Sequence, residues 1–171
     1  MSFRNIEQYK RLFEQGVRVL DNCQYQKALD IFKEVVQLDD NNIDAHVNIV
    51  VCYMRMDRSR EAIEYGRRLD AYFNAIDEAG RRFLNSEIYA TYSSLGWCYF
   101  DLDQFENAVS AYTTALSAKE RVEDFYMRGY SYYNLYRYDQ AKADVYRALK
   151  IDPNHSYSLG LLKKIETRAN R

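Results

Sequence analysis

Apolar residues recur along this chain at the spacing of amphipathic helices. Between residues 3 and 20 they occupy every third or fourth position and end at Val17 and Leu20, which is the period of a helix with one buried face. The period returns in eight further segments that short polar stretches separate. The pattern therefore predicts an all-α fold, with helices at 3–20, 25–38, 43–56, 57–79, 86–100, 103–118, 122–135, 138–151 and 156–169.

Individual residues predict where some of the helices begin and end. Gly80 is placed to end the fourth helix in a left-handed conformation, which leaves residues 81–85 as a link. Asp103 and Glu106 have the spacing of a capping box and predict the start of the sixth helix. Pro153 predicts the end of the eighth helix, because proline cannot donate to the helical ladder.

Small residues repeat at a nearly fixed interval. Ala28 and Ala62 are 34 residues apart, Ala108 and Ala141 are 33 apart, and the gap between Ala62 and Ala108 is 46. A period near 34 with two helices per period predicts a helical solenoid. We expect one domain over 1–171, with repeats at about 9–42, 43–76, 89–121 and 122–155, an insertion at 77–88 and a capping helix at 156–169. Leu159, Leu162 and Ile165 would form the apolar side of that cap.

The repeated positions identify a family resemblance. The third repeat has Gly96 and Tyr99 before Ala108, and its full set is Tyr92, Leu95, Gly96, Tyr99, Ala108, Tyr112 and Ala115. The other repeats supply Leu12, Gly16, Ala28 and Phe32; His46, Val50, Tyr53, Ala62, Gly66 and Leu69; and Phe125, Gly129, Tyr132, Ala141, Ala148 and Pro153. The chain resembles the tetratricopeptide repeat (TPR) family over roughly residues 9–155, which implies an α-solenoid of about four TPR hairpins and a C-terminal capping helix.

This resemblance implies a protein or peptide partner that binds in a concave groove lined by the first helix of each hairpin. Trp97 is prominent there, because the family pattern does not require an aromatic residue at its position. The candidate groove residues are Phe13, Val17, Val47, Asn48, Val51, Ser94, Trp97, Tyr126, Met127 and Tyr130. Whether the bound segment is helical or extended is left open.

One class of TPR partner is excluded by the same positions. The best-known TPR adaptors grip the C-terminal carboxylate of a chaperone with Lys, Asn and Arg side chains on successive first helices. Here the matching positions hold mainly apolar or small residues, and only Asn48 fits. Because a carboxylate needs fixed cations or donors, we expect no chaperone-tail clamp.

The amino-acid composition limits which other classes of partner are expected. The net charge is −1, from 24 basic and 25 acidic residues, so nothing favours nucleic acid or an anionic membrane. No apolar run approaches the length of a membrane span, and the N-terminus has no apolar signal core. Cys23, Cys52 and Cys98 are far apart and odd in number, which predicts a reducing, cytoplasmic setting and core packing for Cys52 and Cys98.

The sequence contains no arrangement typical of an enzyme. It has no glycine-rich phosphate loop and no serine in a nucleophile elbow. His46 and His155 have no second ligand at metal-binding spacing; we expect His46 to pack between helices and His155 to be a solvated loop residue. The chain is therefore predicted to be neither an enzyme nor a binder of cofactor or metal.

Two alternatives to a general scaffold remain. Small TPR chaperones of type III secretion have a similar size and fold, so a dedicated chaperone for a secreted or membrane-bound substrate is one. The other is a self-associating assembly protein, in which the groove or the exposed end of the first repeat contacts a second copy.

Overall fold

The computed structural model describes residues 3–169 and the side chains of 7–168. This part of the chain is built of helices without strands, which confirms the all-α prediction. The ten helices are α1 (Phe3–Asp21), α2 (Tyr25–Leu38), α3 (Ile43–Arg55), α4 (Ser59–Ala75), α5 (Glu78–Phe83), α6 (Asn85–Asp101), α7 (Phe105–Ala118), α8 (Val122–Asn134), α9 (Tyr138–Ile151) and α10 (Ser156–Ala169).

The segment after the second hairpin differs from the sequence prediction. Helix α4 ends at Ala75, and Ile76 has an extended backbone with ψ 150°. The carboxylate of Asp77 accepts a hydrogen bond from the Gly80 amide at 2.8 Å, so it caps the short helix α5. Gly80 therefore lies inside a helix, and no described glycine has a positive φ. The predicted left-handed cap at Gly80 and the irregular link at 81–85 are wrong.

One residue in each hairpin loop takes a left-handed backbone conformation. These turn residues are Cys23, Asp57, Asp103 and Tyr136, with φ between 56° and 60°. They are separated by 34, 46 and 33 residues, the same spacings as the repeated alanines. At the third loop this conformation replaces the predicted capping box, since Gln104 precedes α7 without any side-chain cap.

The chain divides into two compact units, 1–83 and 84–171. In the first unit α1 packs on α2, α2 on α3 and α3 on α4. Phe32, Ile49 and Phe73 are fully buried in its core, and Cys52 is buried as predicted. Burial raises the pKa of the Cys52 thiol to about 12, so it stays protonated and packs as a small apolar group.

His46 is held between helices of the first unit, as the sequence predicts. Its Nε2 donates to the carbonyl oxygen of Asp40 at 2.9 Å, because a carbonyl can only accept. Its Nδ1 then accepts from the hydroxyl of Tyr65 at 2.8 Å. Burial raises the pKa of Tyr65 to about 12, which keeps that donor protonated.

In the second unit, each of the helices α6–α10 packs on the next, and α8 also contacts α6 and α10. Gly96 allows the closest of these approaches, since a Cβ on it would lie 2.8 Å from the ring of Tyr112. Tyr112 is 1% exposed and packs with Ala108 and Met127. Cys98 is also fully buried. A small residue at Gly96 is therefore what lets α6 lie against α7.

Helix α10 covers the last hairpin of the second unit. Leu161 and Ile165 are 3% and 2% exposed and pack against Ala141 and Val145 of α9. The predicted capping role is thus correct, but its apolar side is partly wrong, because Leu159 is 48% exposed. The stripe that α10 buries consists of Ser158, Leu161 and Ile165.

Candidate functional site

The second unit presents a row of aromatic side chains that begins on α6. Ser93, Trp97 and Phe100 are four and three residues apart, so they share one side of the helix. Trp97 is 44% exposed and Phe100 is half-buried. The ring of Phe100 contacts that of Tyr130 on α8, with centroids 5.3 Å apart. The exposed side of α6 therefore continues onto α8.

Helix α8 contributes three tyrosines at the same spacing. The Tyr130 ring lies 5.9 Å from Tyr126 and 6.1 Å from Tyr133, within the range of attractive ring contacts. All three side chains are half-buried. One side of each ring is thus held by the protein while the rest is accessible.

Helix α10 completes this surface. Tyr157 is 68% exposed and lies 5.7 Å from the Tyr126 ring. The ammonium of Lys164 lies 5.5 Å from the centre of the Tyr130 ring, a cation–π contact. We call the combined surface the aromatic face; it consists of Trp97, Phe100, Tyr126, Tyr130, Tyr133, Tyr157 and Lys164.

His155 supports the aromatic face from its edge. Its ring lies 5.6 Å from Tyr126 and 5.8 Å from Tyr157. Its Nδ1 is 2.7 Å from the Ser158 hydroxyl, and Ser158 is fully buried. The expectation of a loop position is therefore correct, but His155 is only partly solvated, because two tyrosine rings and the Ser158 hydroxyl contact it.

The aromatic face offers hydrogen-bond donors that the protein does not use. Within residues 7–168, no group accepts from the hydroxyls of Tyr126, Tyr130, Tyr133 and Tyr157 or from the Trp97 indole, and no carboxylate pairs with Lys164. Burial raises the pKa of Tyr126, so its hydroxyl keeps its proton at neutral pH. The surface is therefore both apolar and rich in donors.

An exposed glycine lies in the middle of the α10 part of this face. Gly160 is three residues after Tyr157 and four before Lys164, so it lies on the same side of α10. A Cβ added to Gly160 would meet no atom within 4 Å. Packing does not require glycine here, unlike at Gly96. The result is exposed helical backbone between a tyrosine and a lysine.

The predicted groove residues of the first unit form a less aromatic surface. Phe13 and Val17 on α1 are half-buried, and the Phe13 ring lies 5.7 Å from Phe32. Asn48 and Val51 on α3 are half-buried as well. The Asn48 amide donates to the carbonyl of Asp44 within the same helix at 2.9 Å. These four positions remain candidates for partner contact.

Three predicted groove residues are not accessible. Val47, Ser94 and Met127 are 5%, 6% and 9% exposed. Each lies one position beside the exposed stripe of its helix, and one residue is a rotation of about 100° around a helix. Their side chains therefore turn towards the neighbouring helix, and they are removed from the candidate surface.

The sequence prediction also missed members of the aromatic face. Phe100 and Tyr133 continue the stripes of Trp97 and Tyr130 by one helical turn, so the same spacing could have found them. Tyr157 and Lys164 were missed because α10 was treated only as a cap. Aligning α10 with α8 as another first helix would have placed both residues on this surface.

A buried carboxylate lies where α6 meets α8. Asp124 is 3% exposed, and its Oδ1 accepts a hydrogen bond from the Ser93 hydroxyl at 2.7 Å. Its Oδ2 is buried without a hydrogen-bond partner. Burial raises the pKa of Asp124 more than the nearby hydroxyls of Ser93 and Tyr89 lower it. The ionised carboxylate is thus disfavoured in the folded protein.

This buried carboxylate predicts a pH dependence of stability. Because the pKa is higher in the folded than in the unfolded state, the contribution of Asp124 is fully present below the unfolded pKa of about 3.9 and is lost as the pH rises through the folded value. We expect the unfolding free energy of the natural protein to increase relative to that of Asp124→Asn between pH 7 and pH 4.5. Urea unfolding of both proteins across this range measures the difference.

The asparagine variant is a matched reference, because its side-chain oxygen can still accept from Ser93 while it has no charge to titrate. All other carboxylates are common to both proteins and cancel. A difference in unfolding free energy that is constant with pH, or that decreases towards pH 4.5, would contradict the raised pKa.

A concavity of about 610 Å³ is lined by residues of α7, α8 and α9. Leu116, Phe125, Arg128 and Asp144 are among the residues that line it. The Arg128 guanidinium donates to both carboxylate oxygens of Asp144, at 2.8 and 2.7 Å, and to the Thr113 hydroxyl at 3.1 Å. The two charged groups of this concavity, Arg128 and Asp144, are therefore already paired with each other.

Two further observations concern cofactors and membranes. The described side chains contain no group of three or more His, Cys, Asp or Glu residues arranged to hold a metal ion. Among the helices of residues 3–169, none combines the length and apolarity that crossing a bilayer requires.

Comparison with known proteins agrees with the repeated hairpins. Models of the tetratricopeptide repeat match residues 12–81, 89–121 and 125–155, which together include all four hairpins. The chain belongs to the tetratricopeptide repeat family. A curated relative, the TPR repeat-containing protein YsoA of Bacillus subtilis, is 35% identical over 52 residues. That match covers 30% of this chain and only 16% of the relative.

Solved TPR structures share the fold at low identity. A MamA RS-1 double mutant has a TM-score of 0.78 at 14% identity and covers 94% of this chain and 84% of its own. A tetratricopeptide repeat protein from Parabacteroides merdae has a TM-score of 0.73 at 19% identity, over 96% of this chain and 62% of its own. These likenesses establish the fold. The tetratricopeptide repeats that the family models match form scaffolds for protein–protein interaction.

Proposed function

We propose that this TPR protein is a non-catalytic scaffold that binds a segment of a partner protein on the aromatic face of its second unit. The observation that supports it most is the row of half-exposed rings from Trp97 through Tyr130 to Tyr157. Tryptophan and tyrosine are the residues most often found at the energetic centre of interfaces. Each has an apolar body and a polar tip, so it can lose water without leaving a donor unpaired.

The rings of the aromatic face already hold one another in place in the free protein. Ring-to-ring contacts between 5.3 and 6.1 Å connect Phe100, Tyr126, Tyr130, Tyr133 and Tyr157. A pre-ordered surface loses little side-chain entropy when it binds, so more of the buried area contributes to affinity. The half-buried residues Phe13, Val17, Asn48 and Val51 of the first unit are proposed as additional contacts.

The proposal predicts a specific loss on truncation of Trp97. We expect Trp97→Ala to weaken capture of the natural partner by about 30-fold, which corresponds to the roughly 2 kcal/mol of an interface anchor. Trp97 is 44% exposed, so the fold should be retained. Affinity purification from the source cells with quantitative mass spectrometry, followed by titration of the purified partner, measures the loss.

Tyr146→Ala is the matched control. Tyr146 is 50% exposed on α9 and its only described ring contact is with Lys142, away from the aromatic face. If both variants bind the partner as the natural protein does, the aromatic face is not the binding surface. Equal loss in both variants would indicate non-specific capture.

The same purification distinguishes the remaining alternatives. A single stoichiometric partner that is unstable alone would favour a dedicated chaperone for a secreted or membrane-bound substrate. A mass above that of one chain in light scattering of the purified protein would favour self-association. Several partners at lower occupancy would favour a general adaptor in the cytoplasm.

A further inference from the structure

Two side-chain contacts join α6 to α8 along the aromatic face. At one end the Ser93 hydroxyl donates to Oδ1 of Asp124 at 2.7 Å. At the other end the rings of Phe100 and Tyr130 have centroids 5.3 Å apart. Trp97 lies between these contacts, one helical turn after Ser93 and one turn before Phe100. The exposed indole is therefore on the part of α6 that these contacts hold against α8.

The Asp124 carboxyl is built into this contact without a counter-charge. It is 3% exposed, and its Oδ2 is buried without a hydrogen-bond partner. The ion pairs within residues 7–168 do not include Asp124. The cation three residues before it, Arg121, lies beside the exposed Glu123 instead. A buried carboxylate without a counter-charge is unfavourable, so ionisation of Asp124 requires that water reach Oδ2.

The neighbouring groups do not remove this cost. The titratable and charged groups that act on Asp124 are Tyr89 on α6, Tyr112 on α7, Arg121 before α8 and Glu123 on α8. Burial is the largest influence on the pKa of Asp124 and raises it. The hydroxyls on α6 and the one cation lower this pKa, and the second carboxylate raises it. Burial also raises the pKa of Tyr112, so its phenol stays neutral. The net pKa of Asp124 is raised, so its carboxyl loses its proton at a higher pH than an exposed aspartate does.

A single proton therefore decides whether α6 and α8 fit together at this point. Building on the proposed function, we propose that proton binding at the Asp124 carboxyl regulates the aromatic face: the face is closed and ordered when this carboxyl is protonated, and α6 separates from α8 near Trp97 when it is ionised. The proton exchanges with water, so the signal is the pH around the protein. The partner-binding surface is ordered at mildly acidic pH and looser at higher pH.

The expected movement is local. Because Oδ2 of Asp124 is enclosed, water reaches it by a separation of the two helices near Ser93. The contact between Phe100 and Tyr130 holds the helices together one turn beyond Trp97, so the second unit does not unfold. Trp97 lies on the moving part of α6 and gains exposure, and the row of rings is interrupted there.

The test measures how accessible Trp97 is to acrylamide, a neutral quencher, between pH 4.5 and pH 7.5. Trp97 is the single tryptophan of the sequence, so its emission reports on one site. We expect the quenching constant of the natural protein to rise at least about 1.5-fold over this range in one titration step, because ionisation of Asp124 opens the contact. Asp124→Asn keeps an acceptor for Ser93 but cannot ionise, and its quenching constant should not change with pH.

Two further variants decide whether the step belongs to Asp124. Asp101→Asn removes an exposed carboxylate four residues after Trp97 and should leave the midpoint of the step unchanged. Ser93→Ala removes a hydroxyl that stabilises the ionised Asp124 and should move the midpoint to higher pH by at least about 0.5 pH unit. Circular dichroism checks that each variant is folded; if Asp124→Asn does not fold, the midpoint in Ser93→Ala decides.

Three results would overturn the inference. The first is a quenching constant of the natural protein that does not change with pH. The second is a step of the same size and midpoint in Asp124→Asn. The third is a step that disappears in Asp101→Asn or keeps its midpoint in Ser93→Ala. A carboxyl with only a structural role would change stability with pH but would not change the exposure of Trp97 in the folded protein.

The outcome is separable from that of the proposed function, because this test contains no partner. If the exposure of Trp97 titrates with Asp124 while the natural partner binds Trp97→Ala as well as the natural protein, the pH-dependent contact is present and the proposed function fails. If the partner depends on Trp97 but its exposure does not titrate, the aromatic face is the binding surface and its regulation by pH is refuted.

Discussion

Replacing Gly96 by leucine is expected to destabilise the second unit strongly. A Cβ at this position would already lie 2.8 Å from the ring of Tyr112, closer than such atoms approach in proteins. The ring is 1% exposed and packed against Ala108 and Met127, so it has no space into which to move. Overpacking of a filled core costs about 1–3 kcal/mol and sometimes more, and leucine adds three carbons beyond the clashing one. We expect a loss of at least about 3 kcal/mol in unfolding free energy, measured by urea unfolding.

The same substitution at Gly160 is the natural comparison for this result. Both glycines lie inside helices of the second unit, but only Gly96 faces a buried ring. Leucine at Gly160 should therefore leave stability unchanged or higher, since leucine favours helix more than glycine does. Similar destabilisation by both substitutions would show that the close approach of α6 to α7 is not what requires Gly96.

Removing the guanidinium of Arg128 is expected to have an effect of similar size. The side chains of Arg128 and Asp144 are 17% and 7% exposed, and the two groups share two hydrogen bonds. In Arg128→Ala the Asp144 carboxylate would stay buried without a counter-charge, which typically costs about 3–5 kcal/mol. Urea unfolding, with the slope of the transition checked for a change in cooperativity, measures this loss.

A double variant separates the charge from the packing. In Arg128→Met with Asp144→Leu the unpaired charge is absent, and apolar replacement of a buried ion pair is often neutral. We expect the double variant to be more stable than Arg128→Met alone by at least about 2 kcal/mol, since both keep an apolar stem over Phe125, which the Arg128 guanidinium approaches to 5.7 Å, and only the single variant leaves the Asp144 charge unpaired. Equal stability of these two variants would show that the unpaired charge is not the cause of the loss.

The positions of the helices could be predicted from the sequence because helical packing is periodic. Ala28, Ala62, Ala108 and Ala141 mark the close approaches, and all four are fully buried. Gly80 could not be interpreted in the same way. The conformational freedom of glycine makes it typical of helix ends. Here, however, the Asp77 side chain caps a new helix that begins before Gly80. This local hydrogen bond cannot be predicted from the periodicity of apolar residues.

The candidate surface was predictable only in part. Trp97, Tyr126 and Tyr130 were identified because they lie on the first-helix stripe and differ from the family pattern. Val47, Ser94 and Met127 were wrongly included because a rotation of one residue decides between surface and core. The open surroundings of Gly160 were not predictable at all, since the sequence does not distinguish a glycine that is needed for close packing from one that faces open space.

The four turn residues have a consequence for how this protein can change over evolution. Cys23, Asp57, Asp103 and Tyr136 differ completely in chemistry, yet each adopts the same left-handed backbone. The loop therefore requires the left-handed backbone conformation at this position but places almost no constraint on the chemistry of the side chain. That conformation costs a residue with a side chain about 1–2 kcal/mol, less for aspartate. Each hairpin thus keeps one position at which a single substitution can change the surface chemistry without altering the helices. Substitution by glycine at the same position would increase stability and could offset a destabilising substitution elsewhere.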